Sequence, residues 1–210
     1  MDTEPTTISE SLAQLSGKIQ SRPAGPKSGA PDRQLISRGW MRQCPNKVRT
    51  VAKIEPELLA LMRELLSGRW SWPLFLFGSA GTGKTCAALC LLDCLGGRYY
   101  ALPNLLDDLI QAMQGRLYTA TGYKMFPEGI WQRVVEAPLV VLDEIGCREK
   151  VSDAHYEALK RLLDFRDGCP LVAISNLEPE ALRRLYDDRV YSRLMKGVVW
   201  DASGKDRRLT

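Results

Sequence analysis

A chain of 210 residues, 45% of them hydrophobic, suits one domain of ordinary size plus an appendage and is apolar enough to build a core. No apolar run approaches the length that crosses a bilayer, and the first residues carry Asp2, Glu4 and Glu10 without an apolar segment, which argues against a membrane span and a secretory leader; a cytoplasmic protein is expected. The net charge of +4 is uneven, because residues 1–53 hold nine Lys or Arg against four Asp or Glu.

That excess makes residues 1–40 read as a flexible basic arm. Between Lys18 and Lys53 only Asp32 opposes the cations, and Pro23, Pro26, Pro31, Gly25 and Gly29 interrupt any regular element. A solvated linker and a contact to nucleic-acid phosphates are both compatible with this composition. Within the arm, Ile8, Leu12, Leu15 and Ile19 fall at helical spacing, suited to a short amphipathic helix that meets a partner protein.

Glu55-Pro56 starts a helix through about Ser67, with Leu58, Leu59, Leu61, Met62, Leu65 and Leu66 as its apolar face. A buried strand, Pro73 to Phe77, runs into Gly78-Ser79-Ala80-Gly81-Thr82-Gly83-Lys84-Thr85, and a helix from Cys86 to Leu95 follows, halted by Gly96-Gly97. Strand, glycine loop and helix in this order make the octapeptide a complete Walker A phosphate loop. Its glycines let backbone N–H groups face a polyphosphate at the positive end of the next helix dipole. Lys84 is placed to reach the β and γ phosphates of ATP and Thr85 to put its hydroxyl on Mg2+. Cys86, Cys90 and Cys94 recur every fourth residue on that helix, so they are expected to pack as small apolar groups against the sheet. With no CxxC pair among the six cysteines, a zinc site is not expected.

A second strand is expected from Arg98 to Leu102 and a helix from Leu105 to Gln114. Gly115 to Gly129 has little periodicity and reads as a loop or insertion. Its Arg116, Tyr118, Tyr123, Lys124 and Phe126 mix cations with rings, which can hold the phosphates and stack the bases of single-stranded DNA; alternatively the rings pack on the domain. A helix ends over Trp131 to Glu136, and Pro138 to Leu142 is a third buried strand leading into Asp143-Glu144. That position puts the Asp143 carboxylate at the carboxyl end of the sheet beside the phosphate loop, where it can hold Mg2+. A second carboxylate at Glu144 can orient or deprotonate the water that attacks a γ phosphate.

Ser152 or Asp153 caps a helix that runs to about Phe165, closed by Asp167-Gly168. His155 lies within it and reads as a surface residue. Leu171 to Ser175 is a fourth strand, whose end presents Asn176 level with the γ phosphate, where an amide can bind a phosphate oxygen. Short helices at Pro179 to Tyr186 and Arg189 to Lys196 precede a last strand at Val198 to Trp200. Five strands alternating with helices imply an α/β parallel sheet with helices on both faces and a ligand at the carboxyl ends of the strands.

Taken in order, Gly78 to Thr85, Leu142-Asp143-Glu144-Ile145-Gly146, Ser175-Asn176-Leu177 and Asp188-Arg189-Val190-Tyr191-Ser192-Arg193-Leu194 resemble the AAA+ type of P-loop ATPase, and within it the DnaC-type helicase loaders and the insertion-sequence transposition helper ATPases. The resemblance spans about residues 50 to 210, within an expected ATPase domain of residues 41–210. It implies nucleotide contacts from Gly78, Ser79, Ala80, Gly81, Thr82, Gly83, Lys84, Thr85 and Cys86, and Mg2+ held by Thr85 and Asp143. It also implies an arginine finger at Arg193, with Arg189 or Arg208 as substitutes, acting on ATP of a neighbouring copy and hence a homo-oligomer. Read without that resemblance, arginines four apart are equally a solvated helix face. The chain ends soon after Gly204-Lys205-Asp206-Arg207-Arg208, so no separate helical lid is expected.

The reading that follows is an ATPase loading a replicative helicase with single-stranded DNA. The alternatives are a transposition helper that binds duplex DNA and recruits a transposase, a nucleotide-dependent interaction module with little hydrolysis, and a P-loop kinase.

Overall fold

The computed structural model describes residues 54–119, 121–147 and 151–204. The basic arm of residues 1–40, its spaced Ile8, Leu12, Leu15 and Ile19, and the tail cations Lys205, Arg207 and Arg208 lie outside these residues.

Helix α1 (Pro56–Leu66) opens on a proline in its first turn, where the missing N–H costs nothing. Strand β1 (Leu74–Phe77) leads through the glycine loop into α2 (Lys84–Leu95). Then come β2 (Arg98–Ala101), α3 (Leu102–Met113), α4 (Pro127–Glu136), β3 (Val140–Ile145), α5 (Asp153–Phe165), β4 (Leu171–Ser175), α6 (Pro179–Leu185), α7 (Asp188–Met195) and β5 (Val198–Asp201). Each element expected within the described residues is present, most with shifted ends. Helix α3 begins at once after β2, and the aperiodic stretch holds an antiparallel bridge between Tyr118 and Lys124 before α4 starts at Pro127. None of the helices among the described residues is long and apolar enough to cross a membrane.

The five strands are all parallel, in the order β2-β3-β4-β1-β5. Parallel strands need helical crossovers, and these cover both faces, which is why the central strands are continuous apolar runs. Side chains alternate between the two layers. Leu74, Leu76, Tyr99, Val141, Val172 and Ile174 pack with α1 and α2, whereas Phe75, Tyr100, Val140, Leu142 and Ala173 pack with α3, α4 and α5. Removing any fully buried core leucine from water contributes about 2 kcal/mol. The carboxyl ends of β3, β4 and β1 thus meet at one edge, with the glycine loop beside them.

One buried cation ties the second layer together. The guanidinium of Arg166, just past α5, donates to the carbonyls of Val134, Val135 and Ala137 at 3.3, 3.3 and 2.8 Å and to those of Pro138 and Pro170 at 3.4 and 2.6 Å. It therefore satisfies the end of α4 and the entries to β3 and β4 at once.

Candidate functional site

The glycine loop is shaped by its backbone. Gly78 has φ 126°, and a Cβ there would lie 2.9 Å from the carbonyl carbon of Ala202 and the nitrogen of Ser203, so only glycine fits between β1 and the chain leaving β5. Gly83, at φ 96°, occupies the N-cap position of α2 in a left-handed conformation. Thr82 Oγ1 donates to the Ser79 carbonyl at 3.0 Å, and the Ser79 hydroxyl donates to the Gly204 carbonyl at 3.4 Å. Lys84 is 5% exposed, and its Nζ donates to the carbonyls of Gly78 and Ser79, both at 2.7 Å. The ammonium thus lies folded into the loop, at the amino end of α2.

Alternation along β3 decides where Asp143 goes. Val141 points to the layer of α2 and Leu142 to the opposite layer, so Asp143 returns to the α2 side and meets its first turn. Thr85 Oγ1 donates to Asp143 Oδ2 at 2.9 Å, and the Glu144 N–H donates to Asp143 Oδ1 at 2.7 Å. Tyr99 on β2 donates its hydroxyl to the same Oδ2 at 2.8 Å. Sequence reasoning did not single out Tyr99, because its reach to Asp143 depends on the β2–β3 register, which pairs Tyr99 with Val141 and Ala101 with Asp143.

Glu144 departs from the regular strand. The β3–β4 register shifts between Leu142 and Ile145, and Glu144 has φ 63°, a rare value for a residue with a side chain. Such a bulge re-aims one side chain. Here Glu144 is exposed although its strand neighbours are buried. Ser175 braces the same point by donating to the Ile145 carbonyl at 2.7 Å and accepting from Leu177 N–H at 2.9 Å. Asn176 follows, exposed, at the end of β4 between β3 and β1. The structure therefore brings Lys84, Thr85, Asp143, Glu144 and Asn176 to one edge.

Arg189 and Arg193 lie on α7. Arg193 is partly buried, pairs with Asp164 of α5 and donates to the Arg189 carbonyl at 3.2 Å. The helix is seated by its cap: Asp187 accepts from Val190 N–H at 2.8 Å and from the Tyr156 hydroxyl at 2.6 Å. Burial works against ionisation of Asp187, but these donors outweigh it and hold the carboxyl below its ordinary range. His155 is half-buried rather than on the surface, with Nδ1 2.6 Å from the Ser152 hydroxyl that caps α5. It lines a small cleft beside Glu144 together with Cys147 and Tyr186.

Cys86 and Cys90 are buried and Cys94 half-buried in the layer of α1 and α2, and a hydrogen bond with Cys86 together with burial pushes the Cys90 thiol far up, so it is an inert apolar group. In contrast, the rings of the hairpin do not pack on the domain: Tyr118, Tyr123 and Phe126 are 58, 74 and 57% exposed, and Lys124 lies over the Phe126 ring at 5.6 Å.

The donor set fits a triphosphate with a divalent cation. Backbone N–H groups of the loop and the Lys84 ammonium suit phosphate oxygens, and the Thr85 hydroxyl and Asp143 carboxylate converge as a hard-oxygen pair suited to magnesium.

No protein-family model matches the chain. An alignment 140 residues long, covering 62% of the chain, is 33% identical to the replication factor C large subunit of Archaeoglobus fulgidus and spans 29% of that protein. Among solved structures, the DnaC helicase loader aligns with a TM-score of 0.55 at 17% identity, over 80% of this chain and 99% of that one. The replication initiator DnaA bound to AMPPCP and single-stranded DNA aligns with a TM-score of 0.54 at 16% identity, over 77% of this chain and 48% of that one. The chain thus spans less than a third of the replication factor C subunit and about half of DnaA. The fold is the AAA+ type of P-loop fold, shared with these replication proteins.

Proposed function

We propose that this chain is an AAA+ ATPase of DNA replication that hydrolyses ATP, engages single-stranded DNA and loads a replicative helicase. The observation that carries the ATPase reading is the meeting of Lys84, Thr85, Asp143 and the re-aimed Glu144 at one sheet edge. In this reading the loop N–H groups and Lys84 bind the β and γ phosphates. Thr85 and Asp143 hold magnesium, which when bound neutralises phosphate charge. Glu144, turned out of the strand, accepts a proton from the attacking water, and Asn176 binds a γ-phosphate oxygen. Arg193 contributes its cation to the site of a second copy in a homo-oligomer.

Single-stranded DNA is supported by the exposed ring-and-cation hairpin of Arg116, Tyr118, Tyr123, Lys124 and Phe126, and by the likeness in fold to the DnaA complex with that ligand. Helicase loading is supported by the DnaC helicase loader, whose whole length this fold matches. Phosphate release measured with single-stranded and with duplex oligonucleotides tests the reading. Stimulation by single strands is expected, together with at least tenfold weaker single-strand binding in Tyr118→Ala/Tyr123→Ala, since each stacked base is worth about 1–3 kcal/mol. Stimulation by duplex alone selects the transposition helper instead, and transfer to an acceptor without release to water selects a kinase.

A further inference from the structure

We infer that Tyr99 is a positioning residue for magnesium: its phenol fixes the carboxylate of Asp143 in the orientation that the cation requires. The inference rests on the reading of Thr85 and Asp143 as the metal-holding pair. Tyr99 is 5% exposed and its hydroxyl reaches Asp143 Oδ2 at 2.8 Å in a buried bond. It shares the α2 layer with Val141, its partner across the β2–β3 ladder, and it spans two positions along the strand to reach the acid.

The carboxylate is held from two sides. Oδ1 accepts the Glu144 N–H, and Oδ2 accepts both Thr85 and Tyr99. Thr85 and Asp143 would hold the cation together, and the Thr85 hydroxyl, as a ligand, would then no longer donate to Oδ2. The Tyr99 phenol reaches the same oxygen from β2. It remains the side-chain donor that keeps Oδ2 aimed and leaves its other lone pair open to the metal side, as outer-shell donors do for metal-binding carboxylates. Packing alone does not call for a hydroxyl here, since phenylalanine fills the same space beside Val141 in the α2 layer.

The test is Tyr99→Phe in the full chain, read as the affinity for a fluorescent ATP analogue across a magnesium titration and in EDTA. The half-saturating magnesium concentration is expected to rise tenfold or more, while affinity in EDTA stays with the parent and the variant remains folded, its thermal midpoint lowered by no more than the loss of one buried hydrogen bond entails. An unchanged magnesium dependence in a magnesium-responsive parent overturns the role of Tyr99 alone. Equal losses with and without magnesium also overturn it, by showing a general packing defect. A parent whose nucleotide affinity ignores magnesium overturns the Thr85–Asp143 pair itself and the role of Tyr99 with it.

Discussion

The hydroxyl of Thr85 donates to Oδ2 of Asp143 at 2.9 Å, joining the first turn of α2 to the end of β3 across 58 positions of sequence. The two oxygens are held close together by the parallel sheet and the loop that begins the helix, so a cation that replaces the shared proton bridge finds both ligands already oriented. Ordering them beforehand removes a cost that a flexible site pays on binding.

Lys84→Ala removes the buried ammonium that the loop carbonyls of Gly78 and Ser79 now hold. Tight ATP binding is expected to disappear, while the sheet and both core layers, to which the ammonium adds no apolar contact, remain folded. Nucleotide titration alongside circular dichroism decides this, and a folded variant that binds as the parent does removes the phosphate-loop assignment.

Glu144→Gln keeps the size of the side chain and the backbone at φ 63° but removes the base. ATP affinity is expected to hold and turnover to fall by about 10²–10⁴-fold, the worth of a positioned general base. Single-turnover phosphate release measures it; a turnover equal to the parent's takes Glu144 out of the mechanism.

Arg193 pairs in its own chain with Asp164, so to serve a neighbouring site it must exchange that partner for a phosphate. Arg193→Ala should keep ATP affinity and lose roughly a thousandfold in turnover, the usual worth of an arginine finger. Mixed with Lys84→Ala, which has an intact Arg193, it should regain part of its activity. If no mixture or concentration restores hydrolysis, or Arg193→Ala alone is fully active, the finger is another arginine, with Arg189 and Arg208 next.

Arg166→Ala takes the guanidinium away from five carbonyls at the junction of α4, β3 and β4, of which that of Pro170 still accepts the Val140 N–H at 3.2 Å. Hydrogen bonds to a buried charged donor are worth about 1.5–3 kcal/mol, and their acceptors cannot reach water easily, so a loss of about 3 kcal/mol is expected in chemical denaturation. Arg166→Lys should recover only part, because one ammonium cannot span two carbonyl clusters as the planar fork does. A shift below about 0.5 kcal/mol in Arg166→Ala would show the carbonyls to be satisfied otherwise.

What the sequence by itself determined is everything set by local pattern. The glycine loop, its strand and its helix follow from residues 73 to 95, because phosphate-loop geometry is a property of contiguous backbone. Apolar runs bounded by glycine, proline and capping residues fixed all five strands and their order along the chain, and the same runs placed Asp143 at a strand end. Other features were decided only by the fold, because each depends on how distant segments align. Tyr99 gained its role from the β2–β3 register, and Glu144 its exposure from a bulge that exists only where β3 pairs with β4. The pairing of Arg193 with Asp164 arises from the packing of α7 on α5. Exposure of Tyr118 and Tyr123, which composition left open, is decided by where the fold sets the segment that carries the Tyr118–Lys124 bridge.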